Sequence, residues 1–171
     1  MPRLFIFAGL PGTGKTILSR QLAQHINAVY LRIDTIEQGL RDLCGWQVEG
    51  EGYRLAHRLA ADNLQLGIDV IADSCNPIEL TRREWEQVAD DNGSAFVNIE
   101  VVCSDAAEHR RRIESRTSEV SGLILLTWHE VENREYHDWT QDRIIIDTTQ
   151  HSEVACFDLL IDALETANGT R

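Results

Sequence analysis

Gly9-Leu10-Pro11-Gly12-Thr13-Gly14-Lys15-Thr16 is the stretch on which the reading of this chain turns. The eight residues fit the spacing G-x-x-x-x-G-K-[ST] without a mismatch. Upstream, Leu4-Phe5-Ile6-Phe7-Ala8 is the continuous apolar run of a buried parallel strand. Downstream, Ile17, Leu18, Leu22 and Ile26 recur at helical spacing. Strand, glycine-rich turn and helix together aim backbone N–H groups and a helix N-terminus at one point, which makes an anion site. Lys15 is the only lysine among sixteen strong cations. Arginine replaces lysine wherever a solvated charge suffices, but not where a compact ammonium must slot between phosphate oxygens. The expected site is therefore a cradle from Gly9 to Thr16 for a nucleoside triphosphate. Lys15 would reach the β- and γ-phosphates, and the Thr16 hydroxyl would ligate Mg²⁺. An ordinary glycine-rich turn is the competing reading.

Composition narrows the partners. The chain has 171 residues and a net charge of −12. That length predicts one domain, 1–171, with a real core. The acidic balance disfavours nucleic acid as main partner, because backbone binding draws on clustered Lys and Arg. No 18-residue apolar run, signal-peptide pattern or repeat is present, so the expected location is cytoplasmic with no membrane partner. Cys44, Cys75, Cys103 and Cys156 lie far apart and suggest neither a zinc site nor a disulfide framework. The oligomeric state is not readable.

Further strands are expected at 28–33, 68–72, 96–103 and 143–147, alternating with helices at 35–43, 53–66, 78–91, 105–116 and 154–167. Asn76 is expected to cap the helix at 78–91, with Pro77 at its first position and Glu79 three residues after the cap. Such alternation means an α/β fold with a parallel sheet covered on both faces and ligands at the strands' carboxyl ends. Asp34 and Asp73 follow strands and should meet the loop there. Phosphoryl transfer to a hydroxyl needs a group that orients the acceptor and takes its proton, a role that falls to Asp34. Asp73 would help hold Mg²⁺. Asp34-Thr35-Ile36-Glu37 is also a capping-box sequence, so Asp34 could simply start a helix. Arg112 and Arg116, four residues apart, share a helix face and would neutralise charge on a transferred γ-phosphoryl group. The alternative for Arg112 is a pair with Glu108. Trp46, between Gly45 and a Gly/Glu loop, could cover an acceptor, while Trp85, Trp128 and Trp139 are expected to pack. His129-Glu130-Val131-Glu132-Asn133 lacks the second histidine of a zinc site and reads as a helix face.

These pieces, with Val70-Ile71-Ala72-Asp73-Ser74-Cys75-Asn76 and Arg112-Ile113-Glu114-Ser115-Arg116, resemble the small P-loop kinases of the nucleoside-monophosphate-kinase-like group. Chloramphenicol phosphotransferase, gluconate kinase, zeta-type toxins and phage-type polynucleotide kinase belong to it. The resemblance implies a three-layer P-loop NTPase fold, with five parallel strands in the order 2-3-1-4-5. It implies a small lid near 110–140, ATP with Mg²⁺, and adenine contacts near Thr148-Thr149-Gln150-His151, with Thr149 and Gln150 foremost. His57 and Arg58 fall on a helix that lines the acceptor pocket in such kinases. Where polynucleotide kinases and zeta-type toxins carry a basic residue three places after the catalytic acid, this chain has Glu37. A carboxylate there would repel an acceptor phosphate and suit a small, non-phosphorylated hydroxylated molecule; Arg41, one turn on, points the other way. The candidate acceptor residues are thus Asp34, Glu37, Arg41, Trp46 and Asn76. The rival expectations are a polynucleotide 5′-hydroxyl kinase and a nucleotide-binding switch with no alcohol acceptor. ATP is favoured over GTP because a guanine reader of the N-K-x-D type needs a second lysine.

Overall fold

Along β1 (Arg3–Ala8) side chains alternate between faces of a sheet: Leu4 and Ile6 enter one apolar core, Phe5 and Phe7 the other. Burial on both sides is why this segment is apolar at every position from Leu4 to Ala8. The computed structural model describes residues 1–169. Its other strands are β2 (Val29–Arg32), β3 (Val70–Asp73), β4 (Ala95–Val102) and β5 (Ile144–Asp147). All pair in parallel, in the order β2-β3-β1-β4-β5, as expected. Helices α1 (Lys15–Ile26) and α7 (Glu153–Gly169) cover the face of Phe5 and Phe7, where Leu18, Leu22 and Leu160 are buried. Helices α3 (Glu51–Gln65) and α4 (Glu79–Asp91) cover the other, with Ala56, Ala60, Leu64, Trp85 and Ala89. The chain also forms α2 (Ile33–Cys44), α5 (Ala106–Ser115) and the short α6 (Trp128–Glu132). No helix among the described residues is long and apolar enough to cross a membrane.

Two helix starts differ from expectation. Helix α2 begins at Ile33, so Asp34 lies in its first turn, and Arg32 holds the N-cap position without a side-chain cap. Asp34 therefore does not cap this helix. Helix α4 begins at Glu79 after an uncapped Ile78, so Asn76 is not its N-cap. Asn76 is fully buried with φ 43°, and its Nδ2 donates to the Phe7 carbonyl at 2.9 Å. A buried amide must find buried partners, and that tertiary demand overrides the local capping signal.

Arg82 explains much of this arrangement. It is fully buried, and its guanidinium donates to the carbonyls of Asn76, Pro77, His137 and Asp138 at 2.9–3.2 Å. Its charge stacks on Trp139, 4.0 Å from the ring centroid. One side chain thus ties the segment after β3 to the segment after α6. Burial pulls its pKa below the ordinary arginine value, yet the guanidinium stays charged. Arg82→Ala would leave several buried carbonyls without donors. We expect a loss of about 3 kcal/mol or more in denaturant unfolding. Arg82→Lys should recover only part, since an ammonium cannot span the same fork.

Candidate active site

The phosphate loop sits where the fold brings β1, β3 and β4 to a common end. Gly9 has φ 137°, and a Cβ there would lie 2.2 Å from the Val101 carbonyl oxygen, so only glycine fits. Its N–H donates to the Cys75 carbonyl at 3.1 Å. The Thr13 hydroxyl donates to the Leu10 carbonyl at 3.0 Å. On the outer side, His109 of α5 contacts the Pro11 carbonyl through Nε2 at 2.7 Å. The Thr148 hydroxyl donates to the Thr13 carbonyl at 2.8 Å. Gly9, Leu10 and Thr13 support the loop, while Pro11, Gly12, Gly14, Lys15 and Thr16 line an open cleft of about 830 Å³.

Lys15 begins α1 and points at Asp73, the last residue of β3, with Nζ 3.5 Å from Oδ1. The two side chains are only 8% and 1% exposed. Burial pulls the Lys15 pKa down, but the charges of Asp73 and Asp34 outweigh it and leave the pKa above the usual lysine value. The other Asp73 oxygen accepts from the Tyr30 hydroxyl at 2.6 Å, while Oδ1 is buried and accepts no hydrogen bond. Among the described residues the Thr16 hydroxyl makes no hydrogen bond either. Among the described residues the Thr16 hydroxyl is thus free at the cleft and Asp73 Oδ1 faces only the Lys15 ammonium; both are hard oxygen donors of the kind a divalent cation takes. No group of three or more His, Cys, Asp or Glu side chains among the described residues could hold a metal alone. Phosphate oxygens and water would have to complete any coordination at Thr16 and Asp73.

Asp34 faces the same cleft and makes no hydrogen bond or ion pair among the described residues. Glu37, one turn later, packs over Gly52, where a Cβ would come within 2.2 Å of its Cγ. Arg41 holds the Glu37 carboxylate at 3.2 Å. Burial pushes the Glu37 pKa up, against the opposing charges of Arg41 and then Arg134. Arg116 also lines the cleft; its Nη2 donates to the Leu126 carbonyl at 3.2 Å and its Nε is buried without a partner. Arg112 donates to the Thr148 hydroxyl at 2.7 Å and to the Thr148 carbonyl at 2.9 Å, and it pairs with Glu108. The Glu108 pair weighed from sequence is therefore present, and Arg112 still lines the cleft.

Six sequence candidates lie elsewhere. Trp46 is 55% exposed and does not line the cleft, because the loop after α2 carries it outward. Asn76 lies beneath the site, sealed against Phe7. Thr149 and Gln150 also miss the cleft. The Thr149 hydroxyl accepts from the Asp105 N–H at 3.1 Å, and Gln150, with φ 57°, turns its N–H to Glu108. Their neighbours Thr148, His151 and Ser152 line the cleft instead. His57 and Arg58 are absent from the lining; His57 packs edge-on against Trp85, and burial lowers its pKa to about 4.

Arg20, Arg32 and Arg134 line the cleft without having been singled out from sequence, and the segment 117–126 falls within the lid expected near 110–140. That segment runs along the cleft, and Glu119 ties it down by pairing with Arg20 at 2.6 Å and Arg32 at 3.4 Å. Nothing local marks a residue that pairs across more than 80 positions. In a protein of net charge −12, Lys15 and six arginines line this cleft, against the four carboxylates Asp34, Glu37, Glu119 and Glu153.

The family model described as an AAA domain matches residues 4–130. The chain belongs to this AAA-domain family. Among solved structures, this AAA-domain chain is similar to a gluconokinase from Sinorhizobium meliloti, at 11% identity and TM-score 0.70, with 97% of this chain and 93% of that one covered. It is also similar to the APS kinase CysC of Mycobacterium tuberculosis in complex with AMPPNP and APS, at 16% identity and TM-score 0.68, covering 96% and 98%. Kti12 of Chaetomium thermophilum in complex with ADP-AlF3 matches at 19% identity and TM-score 0.66, covering 94% and 98%. At these identities the likeness is one of fold: the AAA-domain chain has the nucleotide-binding fold of small P-loop kinases. A search of curated proteins by sequence returns no match.

Proposed function

We propose that this protein transfers the γ-phosphoryl group of ATP to a hydroxyl of a small, non-phosphorylated molecule. The observation that carries the reading is Asp34: an unpaired carboxylate facing the cleft that Lys15 and Thr16 also line. Structural carboxylates usually carry a partner, whereas a general base must keep its oxygens free for the acceptor. Main-chain N–H groups of the loop and Lys15 hold the β- and γ-phosphates. Thr16 and Asp73 would hold Mg²⁺, which would neutralise phosphate charge and so ease transfer. Asp34 orients the acceptor hydroxyl and takes its proton as the new P–O bond forms and the bond to the β-phosphate oxygen breaks. Arg116 neutralises charge on the moving group, with Arg112 holding the base side of the loop through Thr148. The segment 117–126 acts as a lid that excludes water and suppresses idle hydrolysis. Mass spectrometry of hydroxylated metabolites, antibiotics and a 5′-hydroxyl oligonucleotide, each incubated with enzyme and Mg·ATP, tests this reading. A gain of one phosphoryl unit on a small molecule is expected. Transfer to the oligonucleotide alone, or to nothing, would overturn it.

A further inference from the structure

Tyr30 lies on β2 opposite Ile71 of β3, and Asp73 stands two residues beyond Ile71. Side chains two apart on a strand share a face, so Asp73 points to the side of Ile71, where Tyr30 also packs. The diagonal between neighbouring strands is within reach of a long side chain. The Tyr30 hydroxyl crosses it and donates to Asp73 Oδ2 at 2.6 Å. Asp73 is 2% exposed, so little water competes for that bond. Its other oxygen, Oδ1, accepts no hydrogen bond and faces the Lys15 ammonium at 3.5 Å. Lys15 lines the cleft and Tyr30 does not. One carboxylate thus has two separate neighbours, an ammonium at the cleft and a phenol outside its lining.

Lys15 cannot serve Asp73 and the phosphates equally. As it turns to the β- and γ-phosphates, Asp73 Oδ1 gives up its one neighbouring charge. A carboxylate held by nothing else would then rotate about its Cβ–Cγ bond. We propose that Tyr30 is a positioning residue for Asp73. Its hydroxyl holds Oδ2, so that Oδ1 keeps its bearing toward the phosphate loop when Lys15 engages the nucleotide. Asp73 is then ready to share Mg²⁺ with Thr16 without first paying the entropy of being oriented. A phenol suits the task because it donates one hydrogen bond to the carboxylate and brings no charge to compete with the cation. The inference rests on the nucleotide reading of the site and adds to it a residue outside the cleft lining.

The test reads metal coupling and does not depend on turnover. ATP is titrated by calorimetry into wild type and Tyr30→Phe, once with saturating Mg²⁺ and once with EDTA. The substitution removes one hydroxyl and keeps the ring that packs on the core. Wild type should bind ATP more tightly with the metal than without it. Y30F should weaken Mg·ATP about 10-fold, the scale of losing one outer-shell partner of a metal ligand, and leave metal-free ATP unchanged. Tyr136→Phe, which loses a comparable hydrogen bond to Glu100 away from the cleft, should change neither. In an Asp73→Asn background, Tyr30→Phe should have no further effect on Mg·ATP. Equal losses with and without metal would mean that Tyr30 only supports the loop, and no loss would mean that Asp73 needs no anchor. Either result overturns the proposal, as does an undiminished loss in the D73N background. Wild type that binds no ATP under either condition would instead sink the nucleotide reading before any variant is compared.

Discussion

Lys15→Ala is expected to abolish phosphoryl transfer and, in the same stroke, to destabilise the protein. The catalytic half follows from position: the ammonium is the one compact cation at the phosphate loop. Loss of a charged donor that meets developing charge costs about 10³-fold in kcat/KM, on the order of 4 kcal/mol. The stability half comes from the structure. Lys15 and Asp73 form a buried ion pair at 3.5 Å, and truncation leaves Asp73 with only the Tyr30 hydroxyl. Removing one partner of such a pair costs about 3 kcal/mol, a loss that a denaturant midpoint would register. The two effects separate in Lys15→Arg. The charge beside Asp73 remains, so stability should be largely kept. The wider guanidinium does not fit the loop, so transfer should stay low. Wild-type turnover in either variant would contradict the assignment of Lys15.

Asp34→Asn should act in the opposite pattern. Asp34 makes no hydrogen bond or ion pair among the described residues, so stability should change by no more than about 0.5 kcal/mol. Binding of Mg·ATP should persist, because the loop and Lys15 are untouched. An amide accepts a proton far less readily than a carboxylate, so kcat should fall about 10²- to 10⁴-fold. The signature is a loss in kcat with nucleotide affinity retained. Unchanged turnover on a small molecule found to accept the phosphoryl group in the screen would remove Asp34 from the mechanism. A large loss of stability would instead show that the carboxylate holds the fold.

The phosphate loop was legible because its chemistry is local: eight consecutive residues carry the spacing, and the strand and helix that flank them announce themselves by apolar pattern. The strand order was legible only through the resemblance that the motifs support. Asn76, Pro77 and Glu79 form a convincing capping pattern, yet the fold uses Asn76 to reach the Phe7 carbonyl, 69 residues away in sequence. Arg82 was not singled out from sequence; it is buried because four carbonyls and Trp139 converge on it from segments distant along the chain. The adenine side shows the same limit on a smaller scale. The stretch 148–151, which the resemblance places near adenine, borders the cleft, but backbone geometry turns Thr149 and Gln150 away and leaves Thr148 and His151 in the lining. Glu37 illustrates a partner visible at spacing i, i+4 whose consequence needs the fold: its pair with Arg41 changes what the residue says about the acceptor.

The central claim is that Lys15, Thr16 and the loop from Gly9 to Gly14 form a cradle for a magnesium-loaded nucleoside triphosphate. Isothermal titration of the purified protein with Mg·ATP tests it most directly. The account predicts one site with a dissociation constant at or below about 100 μM, corresponding to roughly −5.5 kcal/mol or better. No measurable binding of Mg·ATP or Mg·GTP by the folded protein would contradict it.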